Sequence, residues 1–414
     1  MTATSATRST EQSQRAHYQH YIPQFILRNF SYPHRPENVQ AKTQQRRKKK
    51  DKTRIYPGDP MLHTVDLTEE SPKLVEAQVN RAFGLDDGQR NLAPPNNQQQ
   101  LEKALARLES DTGAVITRIR RAYESGDHIV SITRAQKDTL RKFLFIMKYR
   151  GYTQRKRYYH QTIEEYSAND KASMIQYMHQ KGFRRPVDVW FDNMQAILET
   201  EMDMRGDWMD RLRRRIYPDD ADWVITHMTH MYLALCAPSD PSEEFLLSGN
   251  VFGIQEGPVS QHINPLTGEM TSSVYTEFHI LAAITPKLMM VLRSDYLPIP
   301  EEDVNKEVKA WRENMFQLNA MQHNKPAAVR SFLTDLPVTK PRNSYTRVVN
   351  GRTVLLPNEN GTARPTHQFY YRFFPVPSEL VQKINTVVLE ESYNSPKVMY
   401  KSQKAARKAL EYYL

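Results

Sequence analysis

Residues 220–236, Asp220-Ala-Asp-Trp-Val-Ile-Thr-His-Met-Thr-His-Met-Tyr-Leu-Ala-Leu-Cys236, are the stretch on which the fold class turns. Apolar side chains recur along it at helical intervals, and the pattern predicts one helix over 220–236. Read so, it closes a first half that is helical almost throughout. His227 and His230 stand three apart, which sets both imidazoles on one helical face. Two such ligands suit a divalent metal when an acid elsewhere completes the set. The chain has no His-Glu-x-x-His pattern and no second paired cluster, so packed helix histidines are favoured and no metal site is assigned; His227 and His230 stay as the alternative ligands. Cys236 is the single cysteine. That excludes an intramolecular disulfide and a cysteine-rich zinc site, and it fits a reducing compartment, cytoplasm or nucleus. Its apolar setting, Met231 to Ala237, implies a buried thiol of normal or raised pKa. The same run is far shorter than the roughly 18 apolar residues of a membrane span, and no longer one exists, so no membrane partner is expected.

Upstream, helices are expected over 98–124, with Leu101, Ala104, Leu105, Leu108, Val115, Ile116 and Ile119 on one stripe, and over 134–160 behind an N-cap at Thr133. Leu140, Phe143, Leu144 and Met147 of the second should face inward. Further helical patterns cover 171–181 and 188–204. Downstream of Pro238 the texture changes. Segments 245–248 and 251–255 read as short strands, and 279–284 with 288–292 as two extended runs about a turn at Pro286. Helices return at 303–324 and 326–334, Asn350-Gly351 marks a hairpin that suits a surface projection, and helices are expected over 378–392 and 395–413. The predicted fold class is therefore α+β and mainly helical: a helical bundle in the first half, with a modest mixed sheet and a hairpin in the second.

The 414 residues divide into a disordered N-terminus (1–16), a globular domain (17–300) with a basic loop at 40–54, and a helical and hairpin C-terminal extension (301–414) packing on it. The formal charge of +10 is concentrated: Lys42 to Arg54 holds eight basic residues and one acid, a local +7. Arg46, Arg47, Lys48, Lys49 and Lys50 form a solvated loop, a targeting signal or a nucleic-acid contact. Arg155 and Arg157, with Lys148, Arg150 and Lys156 among Tyr149, Tyr152, Tyr158 and Tyr159, suit either a phosphate backbone with unstacked bases or a helix C-terminus that attracts cations.

The run His20-Tyr-Ile-Pro-Gln-Phe-Ile-Leu-Arg-Asn-Phe30 places Pro23 at a helix start and gives it an apolar face. A buried helix is the favoured reading; His20 as a ligand or proton-transfer group at its entry is the alternative. Glu109, at the core boundary, pairs well with Arg150 on the next long helix, either as a packing ion pair or as a carboxylate held for catalysis. Six stretches recur in order: 20–30, Arg81 to Asp87, Leu101 to Glu109, Arg141 to Arg150, Glu244 to Asn250 and His279 to Ser294. Together, over roughly 17–300, they resemble the domain of unknown function 4238 family in its filamentous-fungal form. The resemblance implies a soluble intracellular domain without established activity. The family's Thr-Asp-Asn becomes Ser248-Gly249-Asn250 here, so any chemistry resting on that acid is impaired.

No Gly-x-Ser-x-Gly elbow and no phosphate-binding Gly-x-x-x-x-Gly-Lys loop occurs, and no motif implies a cofactor. Three functional readings stand open. One is a non-catalytic binding protein that contacts nucleic acid through the basic loop. Another is a hydrolase, nuclease-like, with His20, Glu109, Arg150 and Asn250 converging in one pocket. The third is a scaffold whose C-terminal helix docks on a protein partner.

Overall fold

The helix expected over 220–236 is two elements in the computed structural model, which describes residues 18–20, 22–35, 54–67, 73–86, 95–249, 252–268, 270–394 and 397–414. Helix Pro218–Thr229 starts with proline in its first turn, ends at His230, and passes directly into strand Met231–Pro238. A short apolar run is equally compatible with a buried helix and with a strand buried on both faces. Here tertiary context decides: Met231 to Ala237 is buried between two other strands.

That strand is central to a seven-stranded sheet. Its order is Arg342–Asn343, Gln368–Val376, Met231–Pro238, Leu288–Ser294, His279–Thr285 and Ile254–Glu256, with Ile129–Thr133 also paired to Gln368–Val376. The pairings are antiparallel except between Gln368–Val376 and Met231–Pro238, which run parallel with Phe373 opposite Leu235. The expected turn at Pro286 joins Thr285 to Leu288. A five-stranded sheet combines Tyr32–Pro33, Pro60–Asp66, Lys397–Tyr400 and Leu247–Ser248, with Lys73–Gln78 also paired to Pro60–Asp66. The C-terminal segment expected as one helix is thus strand Lys397–Tyr400 followed by helix Gln403–Tyr413, capped by the Ser402 hydroxyl.

The mainly helical reading is corrected accordingly. Among the described residues helix accounts for 44% and strand for 23%, and strands Pro60–Asp66, Lys73–Gln78 and Ile129–Thr133 lie in the half expected to be a bundle. The fold is a mixed α+β one.

Helices cover these sheets where their apolar stripes dictate. Pro95–Glu124 buries Leu101, Leu105, Leu108, Val115, Ile116 and Ile119. Arg134–Tyr149 begins with a capping box in which the Thr133 hydroxyl accepts from the Gln136 N–H and the Gln136 side chain accepts from the Thr133 N–H. It buries Leu140, Phe143, Leu144 and Met147 and stops at Arg150-Gly151, after which a separate helix, Tyr152–Tyr158, resumes. The short helix Gln24–Phe30 buries Ile26, Leu27 and Phe30 completely, with Ile22 just before it. One continuous apolar core runs from Ile22 to Ala409.

The Asn350-Gly351 hairpin pairs Thr346–Val349 with Arg352–Leu355, largely exposed. Both turn residues have positive φ, 49° and 75°, as a type I′ turn requires. A Cβ on Gly351 would lie 2.5 Å from the Glu302 carbonyl oxygen and from the Asn305 Cβ, so the close approach also demands glycine. Among the described residues no helix is long and apolar enough to cross a membrane.

Candidate functional site: a cationic cleft beside the Gln24–Phe30 helix

Of the groups singled out in the sequence, the fold brings Glu109 and Arg150 together. Arg150 Nη1 donates to Glu109 Oε1 at 3.3 Å, tying Arg134–Tyr149 to Pro95–Glu124, and burial raises the Glu109 pKa against the opposing pull of Arg150. His20 ends strand Tyr18–His20, its backbone opposite Gly84. Asn250 and Arg46, Arg47, Lys48, Lys49 and Lys50 lie outside the described residues. Arg157 is committed internally: its Nε donates to the Tyr166 hydroxyl at 3.0 Å, and its guanidinium pairs with Asp170 and, at 3.6 Å, with Asp220. Arg155 lies over the Tyr159 ring at 5.7 Å.

His227 and His230 do not share an environment. His227 is buried, its Nε2–H donates to the Arg141 carbonyl at 3.0 Å, and desolvation lowers its pKa to about 3. His230 is exposed beside Tyr296. Among the described residues no group of three or more His, Cys, Asp or Glu side chains is placed to hold a metal. Burial pushes the Cys236 thiol up to about 12, far from a reactive thiolate.

Two buried polar hubs escaped the sequence reading. Asp220 Oδ2 accepts from Tyr149, Tyr158 and Asn193 at 2.6, 2.8 and 2.9 Å, satisfying a carboxylate that is 1% exposed. The second joins Ser331, His279 and Glu256, residue types of a nucleophile, base and acid. Its geometry serves packing instead. His279 Nδ1 faces Glu256 Oε2 at 2.8 Å, while Nε2 accepts from Arg293 Nη1 at 3.2 Å. Ser331 Oγ donates to Glu256 at 3.0 Å, so neither ring nitrogen is left to take its proton.

An accessible site lies elsewhere. A cleft of about 450 Å³ is walled by Arg28 and Asn29 of helix Gln24–Phe30, Arg120, Tyr123 and Glu124 of helix Pro95–Glu124, Glu244, the turn Thr285-Pro286-Lys287, and Lys401-Ser402. Three of the stretches that carry the family resemblance, 20–30, 244–250 and 279–294, meet in it. Their meeting has a local cause. Asn29 Nδ2 donates to the Ile284 carbonyl at 2.7 Å, its Oδ1 accepts from Arg120 Nη1 at 3.2 Å, and the signature helix is thereby clamped to a sheet end and to the long helix. On the opposite wall Glu244 accepts the Ser402 N–H at 2.7 Å and faces Lys287 Nζ at 3.5 Å, while that ammonium also donates to the Pro241 and Glu243 carbonyls.

Four cations thus line the cleft against two carboxylates. Arg120 pairs with Glu124 at 3.8 Å and Lys287 with Glu244. Arg28 and Lys401 are exposed, and among the described residues neither has a carboxylate partner. Arg28, Glu244 and Lys287 lie in stretches that carry the family resemblance, whereas Arg120, Glu124 and Lys401 lie outside them and share no sequence signal with them. No curated protein and no solved structure matches the chain. A model of the family described as "Protein of unknown function (DUF4238)" matches residues 18–404, reaching past the 17–300 span of the sequence resemblance, and the chain belongs to that family.

Proposed function

We propose that this chain is a non-catalytic binding protein whose ligand carries an anionic group, held in the cleft beside helix Gln24–Phe30. The observation that carries the reading is the pair of cations, Arg28 and Lys401, without a carboxylate partner among the described residues, at a cleft of about 450 Å³, within the roughly 300–1,000 Å³ of small-molecule sites. Arginine supplies a planar fork for phosphate or carboxylate, and lysine a mobile point charge. Arg120, already oriented by Asn29, supplies a third donor group.

Calorimetric titration of the full chain with inorganic phosphate and with citrate tests this. Binding of either anion that weakens with salt and falls at least tenfold in the Arg28→Gln/Lys401→Gln double variant is the expected result. The expected loss is about 1.5–3 kcal/mol, the range of hydrogen bonds to charged groups. No binding of either anion, or equal affinity in the variant, contradicts it.

Nucleic-acid contact through Arg46, Arg47, Lys48, Lys49 and Lys50 is a second proposal, supported by charge density in the sequence alone.

A further inference from the structure

The cleft contains more than an inorganic anion needs. Besides its cations it presents the half-buried Tyr123 ring and the carboxylates of Glu124 and Glu244. Carboxylates repel a bare phosphate and lower its affinity. They accept hydrogen bonds from hydroxyl or amino groups, and a tyrosine ring offers a face to a flat heterocycle. A ligand that uses all three kinds of group carries an anion at one end, neutral donors in its middle and a π-system.

From this composition we infer that the cleft takes a nucleoside monophosphate. This rests on the anion-binding reading above and adds the class of ligand. The phosphate meets Arg28 and Lys401, with Arg120 held ready by Asn29 at 3.2 Å. The sugar hydroxyls or an exocyclic amine donate to the exposed Glu124 carboxylate, and the base stacks on Tyr123, whose ring is backed by Phe373 at 5.3 Å between centroids. Base–aromatic stacking tolerates any base, so the inference specifies the nucleotide class and leaves the base open. Fixing one edge of Tyr123 against Phe373 lets the ring receive a base without first being ordered.

Titration of the full chain with adenosine 5′-monophosphate, inorganic phosphate and adenosine, each alone, tests it. The nucleotide is expected to bind at least tenfold more tightly than phosphate, and adenosine more weakly than the nucleotide. Tyr123→Leu should erase most of that advantage while leaving phosphate affinity unchanged. Because Tyr123 also packs on Phe373, Glu124→Ala provides a second arm on an exposed side chain. By releasing Arg120 and removing an acceptor it should strengthen phosphate binding and narrow the nucleotide's advantage. Equal affinity for phosphate and nucleotide, or an advantage untouched in both variants, overturns the nucleotide inference and leaves the anion reading standing. Absence of binding by phosphate and nucleotide alike overturns both.

Discussion

His227 shows how a residue's surroundings decide its chemistry. In sequence it is half of a pair spaced for a metal; in the fold it is a neutral donor to the Arg141 carbonyl, edge-on to Phe145 at 5.3 Å. Its pKa falls from the ordinary 6.5 to about 3 because burial penalises the imidazolium. Between those values the unfolded chain binds a proton that the folded chain does not, so the stability is fully present above pH 6.5 and declines as pH falls toward 3. The slope contributed approaches about 1.4 kcal/mol per pH unit within that window. Urea denaturation at pH 7 and pH 5 should show a larger loss in the natural chain than in His227→Gln, which retains a donor but not the titration. An identical loss in both would show that His227 is protonated in the fold. Asn29 is the opposite case: an ordinary polar residue in sequence that proves to link three elements.

Among elements, strand Met231–Pro238 was the one least open to sequence reading. Its side chains, Met, Tyr, Leu, Ala, Leu, Cys and Ala, lack the β-branched residues that mark strands, and burial on both faces removes alternation. The partners that hold it, Leu288–Ser294 and Gln368–Val376, lie more than fifty residues away. Where local chemistry suffices, the sequence reads true: Thr133 caps its helix, Lys171–Lys181 is a helix, Pro286 turns the chain between two strands, and Asn350-Gly351 closes a hairpin. Leu235, completely buried and opposite both Met290 and Phe373, tests the strand's place. Leu235→Ala should cost about 2–5 kcal/mol in denaturant unfolding, as truncation of a buried leucine does. A change under about 0.5 kcal/mol, the range of surface substitutions, would place Leu235 outside the core.

At the scale of the whole molecule, the sheets gather strands from residue 32 to residue 400, and the cleft gathers its wall in the same way. Arg28, Arg120, Glu244, Lys287 and Lys401 are unremarkable one by one, since each sits in a segment with its own local explanation. The pairing of Lys397–Tyr400 with Leu247–Ser248 and Pro60–Asp66, the Asn29 clamp on Ile284 and Arg120, and the Glu244 contacts to Ser402 and Lys287 bring them together. The family-like stretches were legible as segments, but their convergence was not. It follows that ligand binding should stiffen several remote segments at once. Hydrogen–deuterium exchange of the full chain, with and without saturating inorganic phosphate, measures this directly. Slower exchange confined to 24–31, 117–124, 285–288 and 401–406 is the expected result, and it should be absent in Arg28→Gln/Lys401→Gln. Unchanged exchange in those four segments, or protection confined to the Tyr152–Tyr158 helix, would contradict the assignment of the cleft as the binding site.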